Sequence, residues 1–218
     1  MARKLKIGLA LGGGGARGLA HLGVLRALSN VGIEPAVMAG TSMGAIIAVG
    51  FVQERKYPDM EQKFKEFVLE FGQKFRGMNY IETKNKEEVG IFGSIMQGIS
   101  SKMKMAAFVK KLSLEDSSLL DEIVKKYIYP CNIEDLEIPV YLSALDMVSG
   151  RGVFFNRGST RAAVKASMSI AGYFPGVNHE NMELYDAQGV FPVPIQAFKF
   201  ANIDAIIACS VDRRLEQE

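Results

Sequence analysis

The residue best suited to chemistry in this sequence is Ser42, which lies between two glycines in the pattern Gly-x-Ser-x-Gly. Residues 36–39 form a short apolar run that predicts a buried strand, and residues 43–51 predict an apolar helix. A sharp turn between them would strain the serine backbone and leave unpaired helix amides beside the hydroxyl. Because the chain approaches itself closely around such a turn, Gly40 and Gly44 occupy positions that favour a residue without a side chain. The pattern predicts a nucleophilic serine.

A second chemical pattern is the glycine-rich loop at residues 12–18, which follows a predicted strand at residues 5–11 and precedes a helical pattern of leucines. Such a loop can present backbone amides to a negatively charged oxygen, and an arginine adds positive field nearby. The candidate residues are Gly12, Gly13, Gly14, Gly15, Arg17 and Gly18. The loop also fits the dinucleotide-binding pattern Gly-x-Gly-x-x-Gly, so a nucleotide-binding domain is an alternative. That alternative lacks the acidic residue expected after the second strand and the lysine of a phosphate-binding loop.

The composition describes a globular domain and narrows the classes of function. The chain has 218 residues, 48% of them hydrophobic, and its net charge of +2 does not favour a nucleic-acid binder. Cys131 and Cys209 are too few and too widely spaced to indicate a zinc site or a disulfide framework, which fits a cytoplasmic protein. No run approaches the roughly 20 apolar residues of a membrane span. We expect a single domain over residues 1–218 that needs no metal or other cofactor.

The apolar spacing predicts the elements that position these residues. Strands are predicted at residues 139–145, 152–155 and 203–211, and a helix at residues 162–169. Strands that alternate with helices indicate an α/β fold with a mostly parallel central sheet flanked by helices. Reactive groups gather at the carboxyl ends of the strands in such a sheet, and the glycine loop and Ser42 both follow strands.

Residues 53–114 have the least regular pattern, and we expect a helical insertion or lid there. Within it, residues 61–75 carry phenylalanines at helical spacing, which favours an amphipathic helix with a core-facing aromatic side. Residues 94–112 contain four lysines, three methionines and no acidic residue. This composition suggests peripheral contact with an anionic lipid surface or a lid, with a solvated helix face as the alternative.

The glycine loop followed by the serine turn resembles the start of a patatin-like phospholipase domain, and the resemblance extends from residue 5 to about residue 211. Members of that family are serine acyl hydrolases with a three-layer α/β/α fold. The resemblance implies that residues 12–18 form an oxyanion loop. It also implies that the partner of the serine is an aspartate in an Asp-Gly-Gly or Asp-Gly-Ala motif. The matching stretch is Asp186-Ala187-Gln188-Gly189, in which alanine replaces the first glycine.

A serine hydroxyl is a poor nucleophile until a base accepts its proton. Of the two histidines, His21 is predicted to be packed within the first helix, and His179 to lie in a polar surface turn. No histidine follows Asp186, although the chain order of an α/β-hydrolase triad requires one. We therefore expect a dyad of Ser42 and Asp186, with Asp146 as the alternative carboxylate.

The expected activity is hydrolysis of a lipid or another acyl ester, of the phospholipase A, lysophospholipase or carboxylesterase type. The acyl carbonyl oxygen would accept hydrogen bonds from amides of residues 13–15. A catalytically inactive lipid-binding relative is the second alternative, besides the nucleotide-binding domain.

Overall fold

A computed structural model describes residues 3, 5–54, 60–71, 117–199 and 201–211 of the chain. Within these residues the strands are β1 (Ile7–Leu11), β2 (Val37–Gly40), β3 (Val140–Asp146), β4 (Arg151–Phe155), β5 (Val177–His179), β6 (Met182–Tyr185) and β7 (Ala205–Cys209). The helices are α1 (His21–Asn30), α2 (Met43–Glu54), α3 (residues 60–71), α4 (Ser118–Tyr127) and α5 (Thr160–Met168). Short 3-10 turns lie at Gly15–Ala20, Ile133–Asp135 and Ile195–Phe198.

The seven described strands form one sheet whose centre is parallel, in the order β7-β1-β2-β3. Strands β4 and β6 pair with β3 in the antiparallel direction, and β5 extends the sheet beyond β6. Every residue of β2 is buried, as expected of a strand inside a parallel sheet with covered faces. The mostly parallel, helix-flanked sheet predicted from the sequence is confirmed.

Helix α2 is the central element of the packing. Its residues from Met43 to Gly50 are all buried, because the helix packs against β2 on one side and against α5 on another. A helix that is apolar on every side is stable only in such a position. The β2–α2 junction is therefore fixed by tertiary contacts on several sides.

The predicted aromatic core of the 61–75 helix is confirmed for the part that the structure describes. Phe64, Phe67 and Phe71 of α3 are at most 2% exposed. The Tyr127 ring of α4 meets the rings of Phe67 and Phe71 edge-on, at 5.2 and 5.9 Å between centroids. Residues 72–116 lie outside the described residues, and with them most of the predicted insertion and the lysine-rich stretch at 94–112.

Helix α4 and the β5–β6 hairpin have no counterpart among the sequence predictions. The buried residues of α4 recur at spacings of three and four, but charged residues separate them in a helix of 10 residues. Strands β5 and β6 have only three and four residues, which is too short for alternation to be recognised. No helix in the described ranges is both long and apolar enough to cross a membrane.

Candidate active site

Ser42 lies at the junction of β2 and α2, where the chain turns sharply from strand to helix. Its φ of 54° is in the left-handed region that non-glycine residues rarely adopt, so the serine backbone is strained. The Ser42 carbonyl oxygen accepts hydrogen bonds from the amides of Ala45 and Ile46, which begin the helix. The structure therefore has the strained strand-to-helix turn that the Gly-x-Ser-x-Gly pattern predicts.

The glycines on either side of Ser42 stand where the backbone leaves no room for a side chain. A Cβ atom on Gly44 would lie 2.2 Å from the carbonyl oxygen of Leu11. One on Gly40 would lie 2.5 Å from the Cα atom of Ala45. Because both obstacles are backbone atoms, no side-chain rotation relieves them, and the turn requires glycine at both positions.

The glycine loop joins the end of β1 to the 3-10 turn. The Gly12 amide donates to the carbonyl oxygen of Cys209 at 2.9 Å, and the Gly13 amide donates to that of Pro192 at 3.0 Å. Gly13 was predicted to donate to an oxyanion, but this bond commits its amide to the backbone. Gly14 and Gly15 have φ of 156° and 54°, and their amides have no partner among the described residues.

The remaining loop residues serve the packing of the turn. A Cβ atom on Gly18 would lie 2.6 Å from the Cβ atom of Met43, so glycine lets the 3-10 turn contact the start of α2. Arg17 is exposed on the same turn, and its amide donates to the carbonyl oxygen of Gly14 at 3.1 Å. Loop and serine turn are thus in direct contact.

His21 is fully buried, and its Nε2 atom lies 2.8 Å from the carbonyl oxygen of Gly12. Since a carbonyl oxygen only accepts, Nε2 carries the proton and donates it. Burial lowers the His21 pKa, and the bond to Gly12 opposes that shift only in part. The ring is therefore neutral at neutral pH. As predicted, His21 is a packed residue, and the structure adds that it holds the glycine loop in place.

Asp186 follows β6 and lies beside Ser42. Its amide donates to the carbonyl oxygen of Ser169 at 2.8 Å, and its Oδ1 atom accepts from the Gln188 amide at 2.8 Å. Burial raises the Asp186 pKa to about 6, although the Ser42 hydroxyl and the Gln188 amide each lower it. The Oδ2 atom is buried and has no partner with hydrogen-bond geometry among the described residues. The serine and the carboxyl are therefore adjacent, without a completed hydrogen bond between them.

The alanine that replaces the expected glycine after Asp186 fits its position. Ala187 is fully buried, and its φ is not positive. Its carbonyl oxygen accepts from the amides of Val190 and Phe191 at 2.9 and 2.7 Å, which closes a tight turn. The φ of Gly189 is not positive either. The turn after Asp186 therefore does not depend on the conformational freedom of glycine at either position.

The alternative bases have other roles. Asp146 accepts three hydrogen bonds from backbone amides of its own turn and of β6, at 3.0 to 3.2 Å. Burial would raise the Asp146 pKa, but the Ser149 hydroxyl and these amides together hold it below its usual value. His179 is exposed at the end of β5, where it meets the Phe155 ring edge-on at 5.5 Å. No described contact joins either residue to Ser42.

Buried hydroxyl groups around the serine turn were not identified from the sequence. Thr41 donates to the carbonyl oxygen of Phe191 at 2.9 Å, and its Oγ1 atom lies 2.7 Å from Oγ of Ser143. The Ser42 amide donates to Oγ of Ser167 at 2.9 Å. Each contact joins residues more than 100 positions apart, so no local spacing signals it.

The arrangement has the parts that acyl transfer needs. A hydroxyl lies beside a carboxyl whose pKa is about 6, and two amides that have no partner within the described ranges follow β1. The carboxylate can accept a proton, and free amides can stabilise a developing negative charge. Among the described residues, no group of three histidine, cysteine, aspartate or glutamate side chains is placed to hold a metal ion.

Comparison with known proteins adds a family to this geometry. The sequence profile of the patatin-like phospholipase family matches residues 9–199. An uncharacterised NTE family protein of Mycobacterium tuberculosis is 29% identical over 95% of this chain and 49% of its own length. Lysophospholipase nte1 of Emericella nidulans is 27% identical over 97% of this chain and 12% of its own length. Patatin-like phospholipase domain-containing protein 7 of Mus musculus is 26% identical over 97% of this chain and 14% of its own length. The chain thus spans about half of the bacterial relative and a smaller share of the other two.

Proposed function

Because the chain belongs to the patatin-like phospholipase family, we propose that it is a serine hydrolase that cleaves carboxylic ester bonds of lipids. The observation that carries the proposal is the strained Ser42 with the Asp186 carboxyl beside it. One relative is named a lysophospholipase, which makes lysophospholipids the first substrates to test. Phospholipids and short carboxylic esters are the next.

In the first half of the proposed reaction, Asp186 takes the proton of the Ser42 hydroxyl while Oγ attacks the ester carbonyl carbon. The carbon–oxygen double bond becomes a single bond, and its oxygen carries the negative charge. When the tetrahedral intermediate collapses, the bond to the alcohol oxygen breaks. The leaving alcohol takes the proton from Asp186, and the acyl group remains on Ser42.

In the second half, a water molecule replaces the alcohol. Asp186 takes a proton from the water as its oxygen attacks the acyl carbon, and a second tetrahedral intermediate forms. Its collapse breaks the bond to Ser42 Oγ, which recovers the proton from Asp186. The fatty acid leaves, and the enzyme returns to its starting protonation state.

We assign to the amides of Gly14 and Gly15 the hydrogen bonds that stabilise the oxyanion of both intermediates. The Gly12 and Gly13 amides already donate to backbone carbonyl oxygens, whereas these two have no partner in the described part of the chain. The loop contacts Met43 at the start of α2, and the positive end of that helix dipole also favours negative charge nearby. Such preorganised donors are typically worth about a hundredfold to a thousandfold in rate each.

We also propose peripheral contact with anionic lipid through residues 94–112, on the sequence alone. Lysines near such a surface contribute on the order of 1 kcal/mol each. Binding to vesicles that contain phosphatidylserine should weaken as salt is added. Replacement of all four lysines by glutamine should abolish that salt dependence.

The test of the proposed function is the release of fatty acid from lysophosphatidylcholine by the wild-type chain, Ser42→Ala and Ser29→Ala. Ser29 is an exposed serine on α1 and is the matched control. We expect wild type and Ser29→Ala to hydrolyse the substrate equally, and Ser42→Ala to lose several decades of rate, each decade being about 1.4 kcal/mol of barrier. A wild-type chain that binds lipid but hydrolyses no ester would instead be an inactive relative.

A further inference from the structure

The end of helix α5 contacts both members of the proposed dyad. The hydroxyl oxygen of Ser167, a fully buried residue, accepts a hydrogen bond from the Ser42 amide at 2.9 Å. Two residues further on, the carbonyl oxygen of Ser169 accepts from the Asp186 amide at 2.8 Å. One short segment therefore fixes the backbone of the nucleophile and the backbone of the base.

The Ser42 amide needs such a partner. It lies at the start of α2, where the first amides have no acceptor within the helix, and the residue is only 5% exposed. The φ of 54° is also a conformation that persists only where the surroundings hold it. Among the described residues, Ser167 is the acceptor that meets this amide.

Separate hydrogen bonds hold the two ends of helix α5. At its start, the Thr160 hydroxyl donates to the carbonyl oxygen of Cys131 at 2.9 Å, and the Arg161 guanidinium donates to that of Ile128 at 2.8 Å. At its end, the helix is joined to other elements by the bonds that Ser167 and Ser169 accept from the Ser42 and Asp186 amides. Loss of the Thr160 bond therefore loosens the start of α5 and leaves the bonds at its end in place.

We propose that Ser167 is a positioning residue of the hydrolase, which holds the Ser42 backbone so that its hydroxyl faces Asp186. This inference rests on the proposed function. Ser167 touches the backbone of the nucleophile and not the reacting atoms, so its loss should slow the chemical step and leave substrate binding unchanged. A residue that served stability alone would lower the amount of folded protein without changing kcat per folded molecule.

Three variants separate these roles. Ser167→Ala removes the acceptor, Ser167→Thr keeps a hydroxyl at the same position, and Thr160→Val removes a comparable buried hydroxyl from the other end of the same helix. With lysophosphatidylcholine as substrate, we expect kcat of Ser167→Ala to fall about tenfold to a hundredfold, as for a small misplacement of a reacting group. Its KM should stay within about twofold of wild type.

The two companion variants should differ from Ser167→Ala in defined ways. Ser167→Thr should recover most of kcat, and Thr160→Val should keep kcat while its melting temperature falls. An unchanged kcat in Ser167→Ala would overturn the inference with the proposed function intact. An equal loss of kcat in Ser167→Ala and Thr160→Val would also overturn it, because the effect would then follow general destabilisation.

A second measurement needs no activity. Hydrogen exchange at the Ser42 amide, followed by NMR, should be about tenfold or more faster in Ser167→Ala than in wild type, and unchanged in Thr160→Val. Equal protection of that amide in Ser167→Ala and wild type would overturn the inference. If the wild-type chain hydrolyses no ester, the proposed function fails, and this exchange measurement alone decides whether Ser167 holds Ser42.

Discussion

The Asp186 carboxyl lies beside the Ser42 hydroxyl, although helices α2 to α5 and strands β3 to β6 separate the two residues in the chain. Burial raises the Asp186 pKa to about 6, and the adjacent hydroxyl lowers it in part. A carboxyl with this pKa is mostly ionised at neutral pH and still has a higher proton affinity than an exposed aspartate. Both properties suit a general base.

The pH dependence of hydrolysis should follow Asp186. We expect kcat/KM to rise with pH through a midpoint near 6, because only the ionised carboxyl can accept the serine proton. Activity that falls over this range would require a protonated group in the role given to Asp186.

The raised Asp186 pKa predicts that stability falls as pH rises, whereas activity should increase. The unfolded chain releases this proton near pH 4 and the folded chain near pH 6, so folding takes up a proton between about pH 4 and pH 6. The contribution of Asp186 to the free energy of unfolding therefore falls as pH rises through that window. Denaturant melts of wild type and Asp186→Asn across the same range isolate this contribution.

Replacement of Asp186 by asparagine should separate activity from stability. Asp186→Asn keeps the size of the side chain but removes the proton acceptor, so hydrolysis should fall by about a hundredfold to ten-thousandfold. At pH values of about 8 the variant should melt no lower than wild type, because it no longer holds a buried charge with an unpartnered Oδ2 atom.

Asp146→Asn is the matched comparison for this variant. The Asp146 carboxylate accepts hydrogen bonds from three backbone amides, so replacement by asparagine should lower the melting temperature. It should leave kcat per folded molecule unchanged. The reverse pattern, with hydrolysis lost in Asp146→Asn and kept in Asp186→Asn, would assign the base to Asp146.

Alanine substitutions in the glycine loop should have graded effects. A Cβ atom on Gly14 would lie 2.5 Å from Cγ2 of Val211, and the residue has positive φ, so Gly14→Ala should move the donors and lower kcat by about a hundredfold or more. In Gly13→Ala the new atom would meet the Gln188 side chain, which can rotate away, so the loss should be smaller. Gly189→Ala meets open space and should retain wild-type kcat. Equal kcat for all three variants would remove Gly14 from the oxyanion site.

His21 should matter through the hydrogen bond that it donates to Gly12. His21→Ala leaves a cavity and a buried carbonyl oxygen without its donor, a loss of about 1–3 kcal/mol for the unsatisfied group alone. We expect lower stability and lower kcat, and His21→Gln should recover part of both because its side chain can donate an N–H in the same direction. His179→Ala, at an exposed site, should retain kcat. A collapse of activity in His179→Ala would instead require a triad.

The central part of the fold was predictable because its signals are local. Strands β1, β2, β3 and β7 are apolar runs. The two glycines around Ser42 lie within one stretch of five residues, and their spacing indicates that the backbone approaches itself closely there. Helix α4 was not predictable in this way, since its apolar face is interpretable only once α3 is present to cover it.

Contacts between distant segments account for what the sequence could not predict at the site. The Gly13 amide donates to Pro192 and the Ser42 amide donates to Ser167, through bonds that depend on how the segment after β6 and helix α5 dock. The effect of Ala187 was likewise not predictable from the altered motif, because the φ of that residue is set by the turn that follows it.

The most direct test of the central claim is mass spectrometry of the intact chain after reaction with a fluorophosphonate, with the modified residue mapped by proteolysis. We predict one adduct, on Ser42, in wild type and in Ser29→Ala, and none in Ser42→Ala. An adduct that persists in Ser42→Ala, or that maps to another serine in the wild-type chain, would contradict the assignment of Ser42 as the nucleophile.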